Sequence, residues 1–188
     1  PELGFMEVRT AGIVENELRA LGYDVKTGIG TTGVVGTLEN GEGPIVMYRA
    51  DMDANAVKEA SGLPYASTTT VKRATPDGQE EEVPVGHMCG HDAHTTWLIG
   101  IAKAMAEHKS DWRGTLILLG QPAEELISGA TAMVRDGLYE RGVPEPDYLI
   151  GLHTAPIPTG VATCNTGPTM AGTDQFDVTF YGIGGHGS

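Results

Sequence analysis

Nine consecutive positions, Gly86 to His94, read GHMCGHDAH and hold three histidines, one cysteine and one aspartate. Imidazole nitrogen, thiolate sulfur and carboxylate oxygen are donors that zinc, manganese and similar ions accept. The glycines Gly86 and Gly90 let a loop fold several of them onto one ion. Cys89 with His91 is the sharpest pair, a soft thiolate beside an imidazole. Asp92, taken alone, reads equally well as the cap of a following helix. A second cluster is Glu124 with Glu125. Adjacent carboxylates point in different directions, so one can bind a metal while the other takes a proton from water as general base. The same two residues would also suit the start of a helix, where negative charge meets the N-terminal dipole. His153, just before Pro156 and Pro158, is by itself an ordinary loop histidine and gains meaning only beside other donors. In RADMD, residues 49–53, an aspartate at a strand end can accept the free N–H of a ligating histidine and fix its tautomer. A cap or turn competes with that role, most closely for Asp53. The final GIGGHGS presents His186 on a glycine-rich turn, with no lysine after it to suggest a phosphate loop.

Elements that could position these residues alternate between strand and helix patterns, the sign of an α/β layer architecture. Ala11, Val14, Leu18 and Leu21 recur at helical spacing and Gly22 supplies a stop. Residues 33–38 and 44–48 read as strands about a turn at 40–43, the second a continuous apolar run of the buried kind. Residues 61–84 are polar and irregular, with turn signals at Pro76, Asp77 and Gly78, and read as a surface excursion that a hairpin would satisfy. A helix is expected over 94–108 with Leu98, Ile101, Ala102 and Met105 on its apolar face, and another over 129–139. A buried strand is expected over 115–119, ending at the glutamates, and a further strand over 148–152, ending at His153. Ligands of open α/β sheets lie outside the carboxyl ends of the strands, where three of the polar clusters fall. Residues 175–181 alternate Phe176, Val178 and Phe180 with polar residues, a half-exposed antiparallel strand that opens a second domain.

The composition excludes some partners. Twelve Lys and Arg against 25 Asp and Glu give a formal charge of −13, which repels phosphate backbones and anionic membrane surfaces, so neither nucleic acid nor membrane is expected as a partner. No apolar run is long enough to cross a bilayer. Two cysteines, Cys89 and Cys164, are too few for a disulfide scaffold, and the compartment stays open: the cytoplasm is the simpler reading, and secretion is compatible with a first residue of Pro1.

Taken together, RADMDA, GHMCGHDAHTTWLIG, GQPAEE, GLHTAPIPTG and GIGGHGS, in this order, resemble the M20 metallopeptidases, and within them the amidohydrolase branch of hippurate hydrolases and auxin-conjugate hydrolases. The resemblance implies a three-layer αβα zinc-peptidase-like catalytic domain over 1–172, and the first strand of a smaller α+β lid and dimerisation domain over 173–188. It makes Cys89, His91, Glu125 and His153 ligands of two divalent ions (zinc, manganese, cobalt or nickel), Glu124 the general base, and Asp51 a residue behind the ligands. His186 would hold the substrate carboxylate or developing oxyanion, often across a homodimer formed through the lid. The implied reaction is hydrolysis of an N-acyl amino acid or similar small amide.

Rival readings are a non-catalytic metal-binding homologue, a structural zinc domain and a dipeptidase or carboxypeptidase. The first would keep the ligands and lose the base, and the second needs a closed four-ligand site without one, so Glu124 argues for an enzyme. One further histidine ligand is implied in sequence beyond residue 188. The 188 residues alone are therefore expected to be essentially inactive, to hold at most one metal firmly, and to associate through the unpaired last strand. Turnover by the purified chain at the rate of a full-length homologue would refute this.

Overall fold

The run TLILL over 115–119 is almost wholly apolar, which suits a strand buried on both faces. In the computed structural model, which describes residues 1–75, 78–169, 171–172, 176, 178–179 and 181–182, that run lies inside a five-stranded sheet. The elements in chain order are helix α1 (Val8–Ala20), strands β1 (Asp24–Ile29), β2 (Gly33–Asn40), β3 (Ile45–Asp51), β4 (Thr70–Ala74) and β5 (Glu80–Pro84), helix α2 (His91–Glu107), strand β6 (Gly114–Gln121), helix α3 (Gly129–Arg135) and strand β7 (Tyr148–Gly151). The sheet order is β1-β2-β6-β3-β7. Strands β6, β3 and β7 run parallel, and β2 and β1 are added antiparallel on one side.

Side chains alternate across a strand, so one strand feeds two cores. Leu116 and Leu118 of β6 join Val14 and Leu18 of α1 and Leu98 and Ala102 of α2 on one face. Ile117 and Leu119 join Met133 of α3, with Leu138 and Val143, on the other. This is the helix–sheet–helix layering that the alternating pattern implied, and each fully buried Leu or Ile contributes about 1.5–3 kcal/mol to holding it.

Three elements differ from the sequence expectation. β1 was not foreseen, because only Val25 and Ile29 of its six residues face the core and Gly28 interrupts it. α2 begins at His91 rather than at 94, so half of the expected donor loop is the helix's first turn. α3 ends at Arg135, short of 139. The excursion 61–84 does form a hairpin, β4 against β5, in a separate two-stranded sheet.

The chain divides into two units, Pro1–Ala155 and Pro156–Ser188, and every element above belongs to the first. The expected strand over 175–181 lies partly outside the described residues, and His186 lies wholly outside them. Among the described residues no helix is long and apolar enough to cross a membrane.

Candidate metal centre

Parallel strands end on the same edge of a sheet. β3 therefore delivers Asp51 and Asp53, β6 delivers Glu124 and Glu125 after Gln121, and β7 delivers His153, all at one rim. The first turn of α2 is laid across that rim. Its N-cap, Gly90, has φ of 81°, and a side chain there would drive a Cβ to 2.5 Å from the Thr154 hydroxyl. Glycine is thus needed both for the left-handed backbone and for the close approach of the 153–154 loop.

The donors converge. Cys89 Sγ lies 3.3 Å from His153 Nε2. His91 Nε2 lies 3.7 Å from Glu124 Oε2, 3.7 Å from Glu125 Oε1 and 3.6 Å from Asp51 Oδ2. Two ligands of one tetrahedral ion sit roughly 3.3–3.6 Å apart, from bond lengths of about 2.0–2.3 Å. Three overlapping groups have donors close enough to share an ion: Cys89 with His91 and His153, His91 with Glu124 and Glu125, and Asp51 with His91 and His94.

Hydrogen bonds fix the histidine tautomers. His91 Nδ1 donates to the Asp53 carbonyl at 2.9 Å and leans on the Asp53 carboxylate at 3.2 Å, which leaves Nε2 with a bare lone pair. His153 Nδ1 donates to the Thr154 carbonyl at 2.6 Å, and its Nε2 likewise faces the cluster. This is the tautomer a metal ligand needs. His94, the third member of the third group, has no free nitrogen: Nδ1 donates to Asp51 at 2.5 Å and Nε2 accepts the Thr154 N–H at 2.9 Å. His94 is therefore a strut between β3 and the loop that carries His153. Asp51, which the sequence placed behind the ligands, braces His94 and is itself held by Arg49 at 2.7 Å. The aspartate that takes the N–H of His91 is Asp53, whose other oxygen accepts the Glu125 N–H at 2.9 Å.

The electrostatics show which charge the cluster favours. Burial, followed by the charges of Glu125, Glu124 and Asp51, pushes the Cys89 thiol up to about 11. Burial, then the charge of Asp51, raises Glu124 above the ordinary carboxylate range. His91 is lowered by its burial, but the bond to Asp53 and the charges of Asp51, Asp53 and Glu124 outweigh this and raise it. His91 Nε2 and Glu125 Oε1 are both buried, and neither has a hydrogen-bond partner. His91 Nε2 and Glu125 Oε1, 3.7 Å apart beside a thiol and a second carboxylate, repel as bare lone pairs and attract once a proton or a cation lies between them. The donor set thus fits a divalent cation. His87 stays outside these groups among the described residues, and burial lowers its pKa.

The structure brings together Cys89, His91, Glu124, Glu125, His153 and Asp51. The sequence offered His94, like His87, only as a further donor of the cluster, it did not single out Thr154, and it left Asp53 divided between turn and brace. A signal for His94 was present: it follows His91 by three positions, which in a helix puts both on one face.

Known proteins place the chain in a lineage. The profile of peptidase family M20/M25/M40 matches residues 47–185. A hippurate hydrolase of Campylobacter jejuni is 40% identical over 190 residues, which cover 100% of this chain and 45% of that one. The IAA-amino acid hydrolase ILR1-like 4 of Arabidopsis thaliana is 38% identical over 187 residues, 99% of this chain and 39% of that one. The crystal structure of YXEP of Bacillus subtilis, described as a dinuclear metal binding peptidase from M20 family, superimposes with a TM-score of 0.68 at 30% identity over 83% of this chain and 39% of that one. The chain spans less than half the length of each of these relatives. With five ordered motifs, the matching profile and the shared fold in agreement, the chain belongs to peptidase family M20/M25/M40.

Proposed function

We propose that the protein is a metal-dependent hydrolase of amide bonds in N-acyl amino acids or related small amides. The observation that carries this reading is the pair of orphaned buried atoms, His91 Nε2 and Glu125 Oε1, facing each other beside Glu124. Cys89, His91, Glu125 and His153 would hold the ions, two of them by likeness to the dinuclear relative. A thiolate with imidazoles and a carboxylate suits zinc, manganese, cobalt or nickel. When bound, the ions supply the Lewis acidity that makes water nucleophilic at neutral pH and polarises the scissile carbonyl.

The residues of this chain supply the rest. Glu124 is the more exposed of the two glutamates, 38% against 27% for Glu125, and so the better placed to meet a substrate. Its raised pKa suits a carboxylate that takes a proton from water and later gives it to the leaving amine. Asp53 orients His91 and at the same time fixes the backbone of Glu125. Asp51 and His94 hold the 153–154 loop, and with it His153, against the rim. Likeness to proteins named hippurate hydrolase and IAA-amino acid hydrolase supports an acylated amino acid as the substrate.

The test is hydrolysis of N-acetyl and N-benzoyl amino acids against dipeptides by the full-length protein, with metals returned after chelation. Metal-restored activity on the acyl amino acids supports the reading, and activity on dipeptides alone overturns it. A prediction follows for Asp53. Asp53→Ala removes the carboxylate shared by His91 and the Glu125 N–H, and metal affinity should fall by about 10- to 100-fold. Chelator competition measures this, and an unchanged affinity would show that the Asp53 carbonyl alone suffices to hold His91.

A further inference from the structure

The chain leaves β6 through Ala123, and Ala123 is strained. Its φ is 46°, in the left-handed region that a residue with a Cβ rarely adopts. Ala123 is fully buried, so water cannot satisfy its N–H. That N–H donates to Glu7 Oε1 at 2.8 Å, across 116 positions of sequence.

Glu7 is itself anomalous. It is fully buried, no cation pairs with it among the described residues, and its side chain does not cap α1, the helix it precedes. Its second oxygen meets the Thr32 hydroxyl at 2.5 Å. Burying a carboxyl group in such a place is costly, and packing alone would favour an apolar residue. Burial raises its pKa, and the bonds to Thr32 and Ala123 are ones that a carboxyl group in either protonation state, or an amide, can make.

The surrounding segment is shaped to the same turn. A Cβ on Gly4 would come within 3.1 Å of Ala123 Cα and 2.9 Å of the Leu126 side chain. The N-terminal residues are thus laid directly against the backbone that carries the glutamate pair. Remote side chains pin two backbone N–H groups of that turn, Ala123 by Glu7 and Glu125 by Asp53, and Glu124 lies between these two pins.

We infer that Glu7 is a positioning residue for the reaction: by holding Ala123 in its left-handed conformation it sets the direction in which Glu124 and Glu125 leave the strand. The inference rests on the hydrolase reading for its kinetic consequence and on the turn alone for its structural one. Loss of this hold misplaces the two carboxylates while leaving Cys89, His91 and His153, which other elements carry, where they are. Errors of about 1 Å in such groups cost on the order of 100-fold in rate.

Three variants of the full-length protein test it, each assayed well below its own melting temperature. Glu7→Leu removes both bonds; kcat should fall about 10- to 100-fold with KM within about twofold, and the cobalt(II) affinity and visible absorption bands should change. Glu7→Gln keeps an acceptor for Ala123 and a group for Thr32, so it should restore kcat, cobalt spectrum and affinity to near the parent. Val14→Ala, in the core face of the same helix, destabilises the fold without touching the turn and should leave kcat and the cobalt spectrum unchanged. Amide hydrogen exchange over residues 122–129 should accelerate in Glu7→Leu alone. The inference is overturned if Glu7→Leu behaves as Val14→Ala does, or if Glu7→Gln falls as far as Glu7→Leu. If the parent binds cobalt but hydrolyses no acyl amino acid, the hydrolase reading fails while the cobalt and exchange measurements still decide the role of Glu7.

Discussion

Glu124→Gln in the full-length protein should abolish measurable turnover and leave the metal content nearly unchanged. The amide has the shape of the carboxylate but cannot accept a proton from water, and general acid–base groups contribute about 10²- to 10⁴-fold in rate. Glu124 has the position for this role. It is half-buried, its pKa is raised by burial and then by Asp51, and it sits beside the donors Cys89, His91, Glu125 and His153. Its neighbour Glu125 is the better ligand, because one of its oxygens is buried without a partner and its backbone is tied to Asp53. Metal analysis and kcat measured on the same preparation check the prediction. If metal is lost together with activity, Glu124 is a ligand and the roles of the two glutamates must be exchanged.

Cys89→Ser should weaken metal retention by at least about 100-fold, more than the loss of an outer hydrogen-bonding partner does. Burial, then the charges of Glu125, Glu124 and Asp51, push the Cys89 thiol up to about 11, so a thiolate at neutral pH needs a cation to stabilise it. A hydroxyl in its place stays protonated and is a harder, poorer donor beside His153 Nε2. Competition against a chelator of known affinity reads the change. Cys164, which is exposed, serves as the control: Cys164→Ser should leave metal binding as it was. Equal stoichiometry and affinity in Cys89→Ser would reduce Cys89 to a buried thiol with no part in the centre.

Most of the layered architecture was legible in the sequence, because apolar periodicity reports which faces must be covered. The runs in β3 and β6 and the stripes on α1 and α2 carry that signal directly. β1 escaped because an edge strand with Val25 and Ile29 as its only core residues has almost no pattern to read. The start of α2 was misplaced for a related reason: His91 and His94 are polar, and polar residues in a first turn look like loop until the rim they face is known.

The sequence by itself determined the chemistry on offer, since donor types and their order along the chain are covalent facts. Cys89 two positions before His91, and Glu124 next to Glu125, are set before folding. What only the tertiary structure decided is which partner each polar atom takes. Asp51 and Asp53 are alike in sequence, but β3 aims one at His94 and the other at His91 and the Glu125 N–H. His91 and His94 are alike too, and the Thr154 N–H, brought in from 60 positions away, occupies the nitrogen of His94 that would otherwise be free. Glu7 had no legible role at all, because its meaning comes from Ala123, 116 positions away. Hydrogen bonds are short and directional, so their assignment depends on distances of tenths of an ångström between segments remote in sequence, and only the packed sheet fixes those distances.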